Sequence, residues 1–141
     1  MQKFQEILFI FWEKLYQSFS KAINQELVAS TQSVHRGGLG IALAKTAMGG
    51  RLGMEISLEK LRDIKMREDY ILYSESQGRL VVTVNPEYAS KFEKVMEGSR
   101  VVRIGKVRSD NQFIIRNEKG TIIDTNVNEM LKSYKSTFKN Y

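Results

Sequence analysis

The segment Ser30-Thr31-Gln32-Ser33-Val34-His35-Arg36-Gly37-Gly38-Leu39 joins a short strand-like run to a helical pattern through two glycines. Leu27–Val34 predicts the strand, and the small residues from Leu39 to Ala47 predict the helix. A glycine pair at such a junction lets the backbone bend without a Cβ clash and come close to whatever lies opposite. This geometry suits a bound anion, and it equally suits close packing of a helix on a sheet. The glycine pair alone leaves both interpretations open.

Outward from this turn, strands and helices alternate along the chain. Strands are predicted at Leu27–Val34, Met54–Leu58, Leu80–Val84, Val101–Val107, Phe113–Ile115 and Thr121–Asp124, and helices at Phe4–Ile23, Leu39–Ala47, Tyr88–Met96 and from Val127 to Phe138. Such interleaving is typical of a mixed sheet covered by helices. The sequence therefore predicts a single α/β domain over residues 1–141, with an N-terminal helix within residues 1–25 packed on it.

The N-terminal helix is predicted from apolar residues at three-and-four spacing between Phe4 and Ile23. Four further residues widen its apolar surface beyond one stripe: Phe9, Ile10, Trp12 and Tyr16. They predict either burial on two sides or an interface, through which the chain would form a homo-oligomer. The apolar run Ile7–Trp12 is too short for a membrane helix or a signal peptide, so a cytoplasmic protein without a membrane partner is expected.

Composition limits the classes of function. The net charge is +6, but the 22 Lys and Arg residues are scattered, which indicates a solvated surface and makes nucleic acid an unlikely partner. The chain has no cysteine and one histidine, which excludes disulfides, thiolate metal sites and a multi-histidine metal centre. No metal site and no catalytic residue are predicted.

Several blocks together resemble a known family. Leu27–Ser30, Gly37–Ala44 and Leu52–Ile56 resemble the C-terminal domain of the AIR synthase superfamily. Two further segments resemble one branch of it, the phosphoribosylformylglycinamidine synthases, which act in purine biosynthesis. These segments are Leu72–Val84, which contains Ser-Glu-Ser-Gln-Gly-Arg, and Ile104–Val107. The likeness extends over roughly residues 12–134 and implies a three-layer α/β/α fold.

The resemblance also implies a partner. Members of this family are ATP-dependent ligases in which an N-terminal domain carries most of the ATP and Mg²⁺ site, and catalysis takes place in the cleft between the two domains. The expectation is therefore a C-terminal domain that binds no cofactor by itself and amidates formylglycinamide ribonucleotide only with an N-terminal ATP-binding domain or subunit. The alternative is a degenerate, non-catalytic copy that binds itself or another partner.

The turn departs from the family pattern. The branch has an acidic residue before the two glycines and another after Ala-Leu-Ala, where this chain has Arg36 and Lys45. Carboxylates help to hold Mg²⁺, whereas Arg and Lys attract anions. His35, Arg36, Gly37 and Gly38 are therefore predicted as a substrate or phosphate-binding loop, with a plain solvated turn as the alternative.

A second loop is predicted to face the substrate cleft through Ser74, Glu75 and Arg79, as the resemblance implies. Glu75 and Arg79 are four residues apart, so they predict either a structural ion pair or an ordered loop. Ser74 lies in no pattern that indicates a nucleophile.

Overall fold

A computed structural model of the chain describes residues 5–10, 15–61, 66–137 and 139. Among these residues the strands are β1 (Glu6–Ile10), β2 (Ser30–Val34), β3 (Gly53–Ser57), β4 (Arg79–Val84), β5 (Val101–Arg108), β6 (Gln112–Asn117) and β7 (Gly120–Asn126). The α-helices are α1 (Leu15–Asn24), α2 (Gly38–Gly50), α3 (Glu68–Tyr73), α4 (Ala89–Val95) and α5 (Val127–Ser136). Short 3-10 turns lie at Glu59–Leu61 and Pro86–Tyr88.

The strands form one seven-stranded sheet in the order β2-β4-β1-β5-β3-β6-β7. Neighbouring strands are antiparallel except β3 and β6, which run parallel. Helices α2, α3 and α5 cover one face with a core that includes Leu43, Leu72 and Val127. Helices α1 and α4 pack on the opposite face through Phe19 and Phe92. The predicted three-layer α/β/α fold with a mixed sheet is thus confirmed.

The prediction of one helix from Phe4 to Ile23 is wrong at its start. Residues Glu6–Ile10 form β1, a central strand between β4 and β5, and helix α1 is described over Leu15–Asn24. Ile7 belongs to the core under α2 and Leu8 to the core under α1, and both are fully buried. A strand covered on both faces is apolar at every position, so its sequence matches a helical pattern as well as a strand pattern.

Helix α2 ends at Gly50, as the Gly49-Gly50 pair in the sequence predicts, since glycine pairs are typical of helix ends. Arg51 takes the left-handed conformation, with φ of 53°, and its amide donates to the Met48 carbonyl. The Leu52 amide donates to the Ala47 carbonyl. The last turn of α2 is therefore closed by backbone hydrogen bonds.

Candidate functional site

The glycine turn lies between the end of β2 at Val34 and the start of α2 at Gly38. Gly37 and Gly38 have φ of +81° and +67°, a region that side chains other than glycine rarely adopt. A Cβ on Gly38 would lie 2.6 Å from the Leu72 carbonyl oxygen and 2.7 Å from that of Ser74. The second glycine is therefore required because the turn packs directly on the chain that leaves α3.

The amides of this turn already have partners within the chain. The Arg36 amide donates to His35 Nδ1 at 2.8 Å, and the Gly38 amide donates to the His35 carbonyl at 2.9 Å. The Gly37 amide donates to Glu75 Oε1 at 2.8 Å. A carboxylate of the second predicted loop thus lies at the start of α2, where an anion is favoured by the helix dipole.

The turn and the second loop form one structural unit. Arg79 is only 8% exposed, and its guanidinium donates to the backbone carbonyls of Ser74 and Ser76. Burial lowers the pKa of Arg79. Arg79 shapes the loop, and Glu75 ties that loop to the turn. The two predictions for this pair, a structural ion pair and an ordered loop that faces the cleft, both stay predictions.

The residues of the predicted sites differ in their exposure to solvent. His35, Arg36 and Glu75 are exposed, whereas Gly38 and Arg79 are buried. Tyr73, which the sequence analysis did not select, is 49% exposed, and its ring lies against α2 at Gly40. The signal that could have found it is its place directly before the Ser-Glu-Ser-Gln-Gly-Arg block.

The two cations that replace acidic residues of the family lie apart. Arg36 precedes α2, whereas Lys45 lies within the helix, roughly 10 Å beyond Gly38 along its axis. Lys45 lines a different cavity, at the opposite end of the helix. The reversal of charge therefore acts at two separate places and does not concentrate at the turn.

The four residues predicted as an interface do not share one helix face. Phe9 and Ile10 belong to the central strand β1, and Tyr16 lies on α1, where it is 69% exposed. Trp12 lies outside the described residues. The interface remains a prediction, but the single helix that was expected to carry it does not exist, because Phe9 and Ile10 lie on a strand.

A charged cluster on the sheet was also missed. The carboxylate of Glu55 on β3 lies 3.2 Å from Arg108 and 3.6 Å from both Lys106 and Arg116. The hydrogen bond between the Arg108 guanidinium and the Asp110 carboxylate raises the pKa of Arg108 and lowers the pKa of Asp110. These charges are paired across neighbouring strands, which accounts for them as a structural feature of the sheet.

The described residues contain neither a cluster of metal-binding side chains nor a membrane-spanning helix. No group of three or more His, Asp or Glu side chains among them is arranged to hold a metal ion. No helix among them is both long and apolar enough to cross a membrane.

Comparison with known proteins places this architecture in a family. The family described as AIR synthase related protein, C-terminal domain, matches residues 9–117. The PurL subunit of phosphoribosylformylglycinamidine synthase from Methanocaldococcus jannaschii is 32% identical over 126 residues, which are 89% of this chain and 17% of that protein. The PurL subunit from Methanococcus aeolicus is 29% identical over 126 residues, which are again 89% of this chain and 17% of that protein.

Solved structures share the fold. PurL of Thermotoga maritima in complex with ATP superposes with a TM-score of 0.78 at 19% identity, over 92% of this chain and 26% of that one. The hydrogenase maturation protein HypE of E. coli gives a TM-score of 0.69 at 13% identity, over 89% of this chain and 49% of that one. The chain thus spans about a sixth of its curated relatives. It belongs to the AIR synthase-related family, as a C-terminal domain of the PurL type.

Proposed function

We propose that this chain acts in purine biosynthesis by forming one wall of an ATP-dependent amidation site, whose other wall is an N-terminal ATP-binding domain or subunit. The single observation that carries the proposal is the contact between Gly37 and Glu75. It joins two segments that carry the resemblance, the Gly37–Ala44 block of the AIR synthase superfamily and the Ser74–Arg79 loop of the synthase branch. Both leave polar side chains exposed to a partner.

The proposed role of this wall is to position substrate. His35 and Arg36 supply exposed donors next to the start of α2, and a phosphate group would be attracted by both the cation and the helix dipole. Binding there would compete with Glu75 for the Gly37 amide, or would use the side chains of His35 and Arg36 alone. Tyr73 offers an exposed ring beside the same turn.

The residues at this turn do not fit Mg²⁺, which prefers several oxygen ligands. Glu75 is the one carboxylate that contacts the turn among the described residues, and it is hydrogen-bonded to Gly37. In this proposal the ATP and its metal ion are held by the partner domain. This chain contributes substrate contacts, and it carries no catalytic group of its own.

Reconstitution tests the proposal. A Methanocaldococcus jannaschii PurL that lacks its matching 126-residue segment is mixed with this chain, ATP, formylglycinamide ribonucleotide and ammonia. We expect substrate-dependent ATP hydrolysis from the mixture and none from either component alone. The relative's own segment, added in trans, is the positive control. Clear turnover by this chain alone would contradict the proposal.

A second candidate is a non-catalytic copy that retains the fold for binding another protein or itself. It is favoured by the internal partners of the Arg36 and Gly37 amides, because a ligand that used these amides would have to displace His35 Nδ1 or Glu75. This candidate predicts no turnover in the reconstitution while the positive control is active. It also predicts that size-exclusion chromatography detects self-association, which Tyr16→Ser or Trp12→Ser would weaken.

A further inference from the structure

A second cavity lies at the far end of α2 from the glycine turn. It has a volume of about 440 Å³ and lies between the C-terminal half of α2 and the strands β2 and β4. This size falls within the range of pockets that bind small molecules. The apolar part of its lining, called the apolar floor below, includes Ala47, Leu52 and Met54, and the rest is polar and includes Ser30, Gln32 and Lys45. Apolar surface combined with polar groups that fix orientation is typical of a small-molecule site.

The polar groups of this cavity have unused hydrogen-bonding capacity. Ser30 and Thr83 share one hydrogen bond of 2.6 Å between their hydroxyl groups. The two hydroxyls carry two protons, so one proton is left without an acceptor among the described residues. The amide of Gln32 donates to the Ser33 carbonyl, which leaves its own oxygen free to accept.

Lys45 supplies the only formal charge among the described residues that line the cavity. Its side chain is partly buried, and no carboxylate of the described chain forms an ion pair with it. Near the end of α2, the carbonyls of Ala47 and Met48 already accept hydrogen bonds from the Leu52 and Arg51 amides. Lys45 also lines a neighbouring cavity that includes Glu129, but it forms no ion pair with that carboxylate, so its ammonium group has no ionic partner within the described chain.

We propose that this cavity binds a small molecule with one anionic oxygen group, a carboxylate or a phosphate, held by Lys45. The apolar floor would contact the body of the molecule, and the hydroxyls of Ser30 and Thr83 would donate the remaining hydrogen bond. This site is distinct from the glycine turn. It does not depend on the proposed role in amidation.

The test uses three small probes with one aromatic body: benzoate, phenyl phosphate and the neutral benzyl alcohol. Each is titrated into the labelled 141-residue chain, and the backbone amide resonances of Gln32 and Thr46 are followed by NMR. We expect saturable shifts with at least one anionic probe, with a Kd in the millimolar range. Benzyl alcohol should bind at least about tenfold more weakly than that probe. The preferred anion distinguishes a carboxylate ligand from a phosphate ligand.

Lys45→Met removes the charge and retains the apolar stem, and we expect it to weaken binding of the anionic probe about tenfold. Lys45→Arg should retain most of the affinity. The matched control is Lys21→Met, on exposed α1 across the sheet, which should bind as the unmodified chain does. Equal affinity of Lys45→Met and Lys21→Met would overturn the proposal.

Two outcomes with the unmodified chain alone would also overturn it, so that the test does not depend on the folding of a variant. One is equal affinity for benzoate, phenyl phosphate and benzyl alcohol. The other is the absence of any saturable shift at Gln32 and Thr46 with the anionic probes.

Discussion

The two ends of helix α2 differ in how their polar groups are satisfied. At the N-terminal end, the chain's own groups occupy the amides of Arg36, Gly37 and Gly38, and backbone carbonyls pack tightly against the second glycine. Near the C-terminal end, Lys45 faces an open cavity without an ionic partner among the described residues. One helix thus carries a closed junction and an open pocket. The first end is held by hydrogen bonds and close packing within the chain, and at the second end a cation has no ionic partner within the described chain.

The largest difference in stability between the two ends of α2 is expected at the glycines. Gly38→Ala places a Cβ against the Leu72 and Ser74 carbonyls at a positive φ, and we expect it to lower the free energy of unfolding by about 3 kcal/mol. Gly49→Ala is the matched control, because a Cβ there meets nothing within 4 Å. It should raise the free energy of unfolding by about 0.5–1 kcal/mol.

Urea unfolding of the two alanine variants measures this difference. Equal stabilities would show that the junction at Gly38 is not closed, and the contrast between the two ends of α2 would then fail.

The next largest effect is expected at Arg79. Arg79→Met removes the donors to the Ser74 and Ser76 carbonyls from a buried position, and we expect a loss of about 2 kcal/mol in the free energy of unfolding. Arg67→Met is the control, because Arg67 forms an exposed ion pair with Asp69. This substitution should lower the free energy of unfolding by less than about 0.5 kcal/mol. Chemical denaturation compares the two, and similar losses would contradict a structural role for Arg79 in the loop.

A smaller effect is expected at Glu75. Glu75→Ala removes the acceptor of the Gly37 amide at the start of α2, and we expect a loss of about 1 kcal/mol, as for other residues that cap a helix. Glu75→Gln retains an acceptor without the charge and should lose less. Hydrogen exchange at the Gly37 amide reports the same contact. Unchanged exchange in Glu75→Ala would show that the carboxylate does not hold the turn.

The smallest effect is expected at the open end of the helix. Lys45→Met removes a cation that has no ionic partner among the described residues, and we expect the free energy of unfolding to change by less than about 0.5 kcal/mol. Thermal unfolding in buffer without organic acids or phosphate measures it. A marked loss of stability would mean that Lys45 is a structural group and that the two ends of α2 are more alike than their contacts indicate.

Most of the fold could be predicted from local patterns. Alternation predicted β3, a run of strand-forming residues predicted β4, and turn residues separated β5, β6 and β7. The sequence offers Asn126 or Thr125 as the cap of α5, and in the structure the Asn126 side chain accepts from the Glu129 amide at 3.0 Å. These features depend on neighbours in sequence. The strand β1 was missed because its residues alternate between two cores, and the burial of both faces erases the alternation. Helix α3 was also not among the predicted helices, since it has only six residues.

The candidate site divides in the same way. The glycine turn and the Ser74–Arg79 loop were found from their residues, because a resemblance in sequence carries both. Their contact through Gly37 and Glu75 spans 38 residues of chain, and nothing in either segment predicts it. The cavity beside Lys45 was missed for the same reason, because residues far apart in the sequence line it.

The amino-acid sequence by itself determined the family, the α/β class and the position of the bend between β2 and α2, because these depend on the order of residue types along the chain. Only the tertiary structure decided that Glu75 occupies the Gly37 amide, and that Arg36 and Lys45 lie in different surroundings. The physical reason is that hydrogen bonds and charge pairs depend on distances in space. Those distances are set by how the sheet and its two helical layers pack.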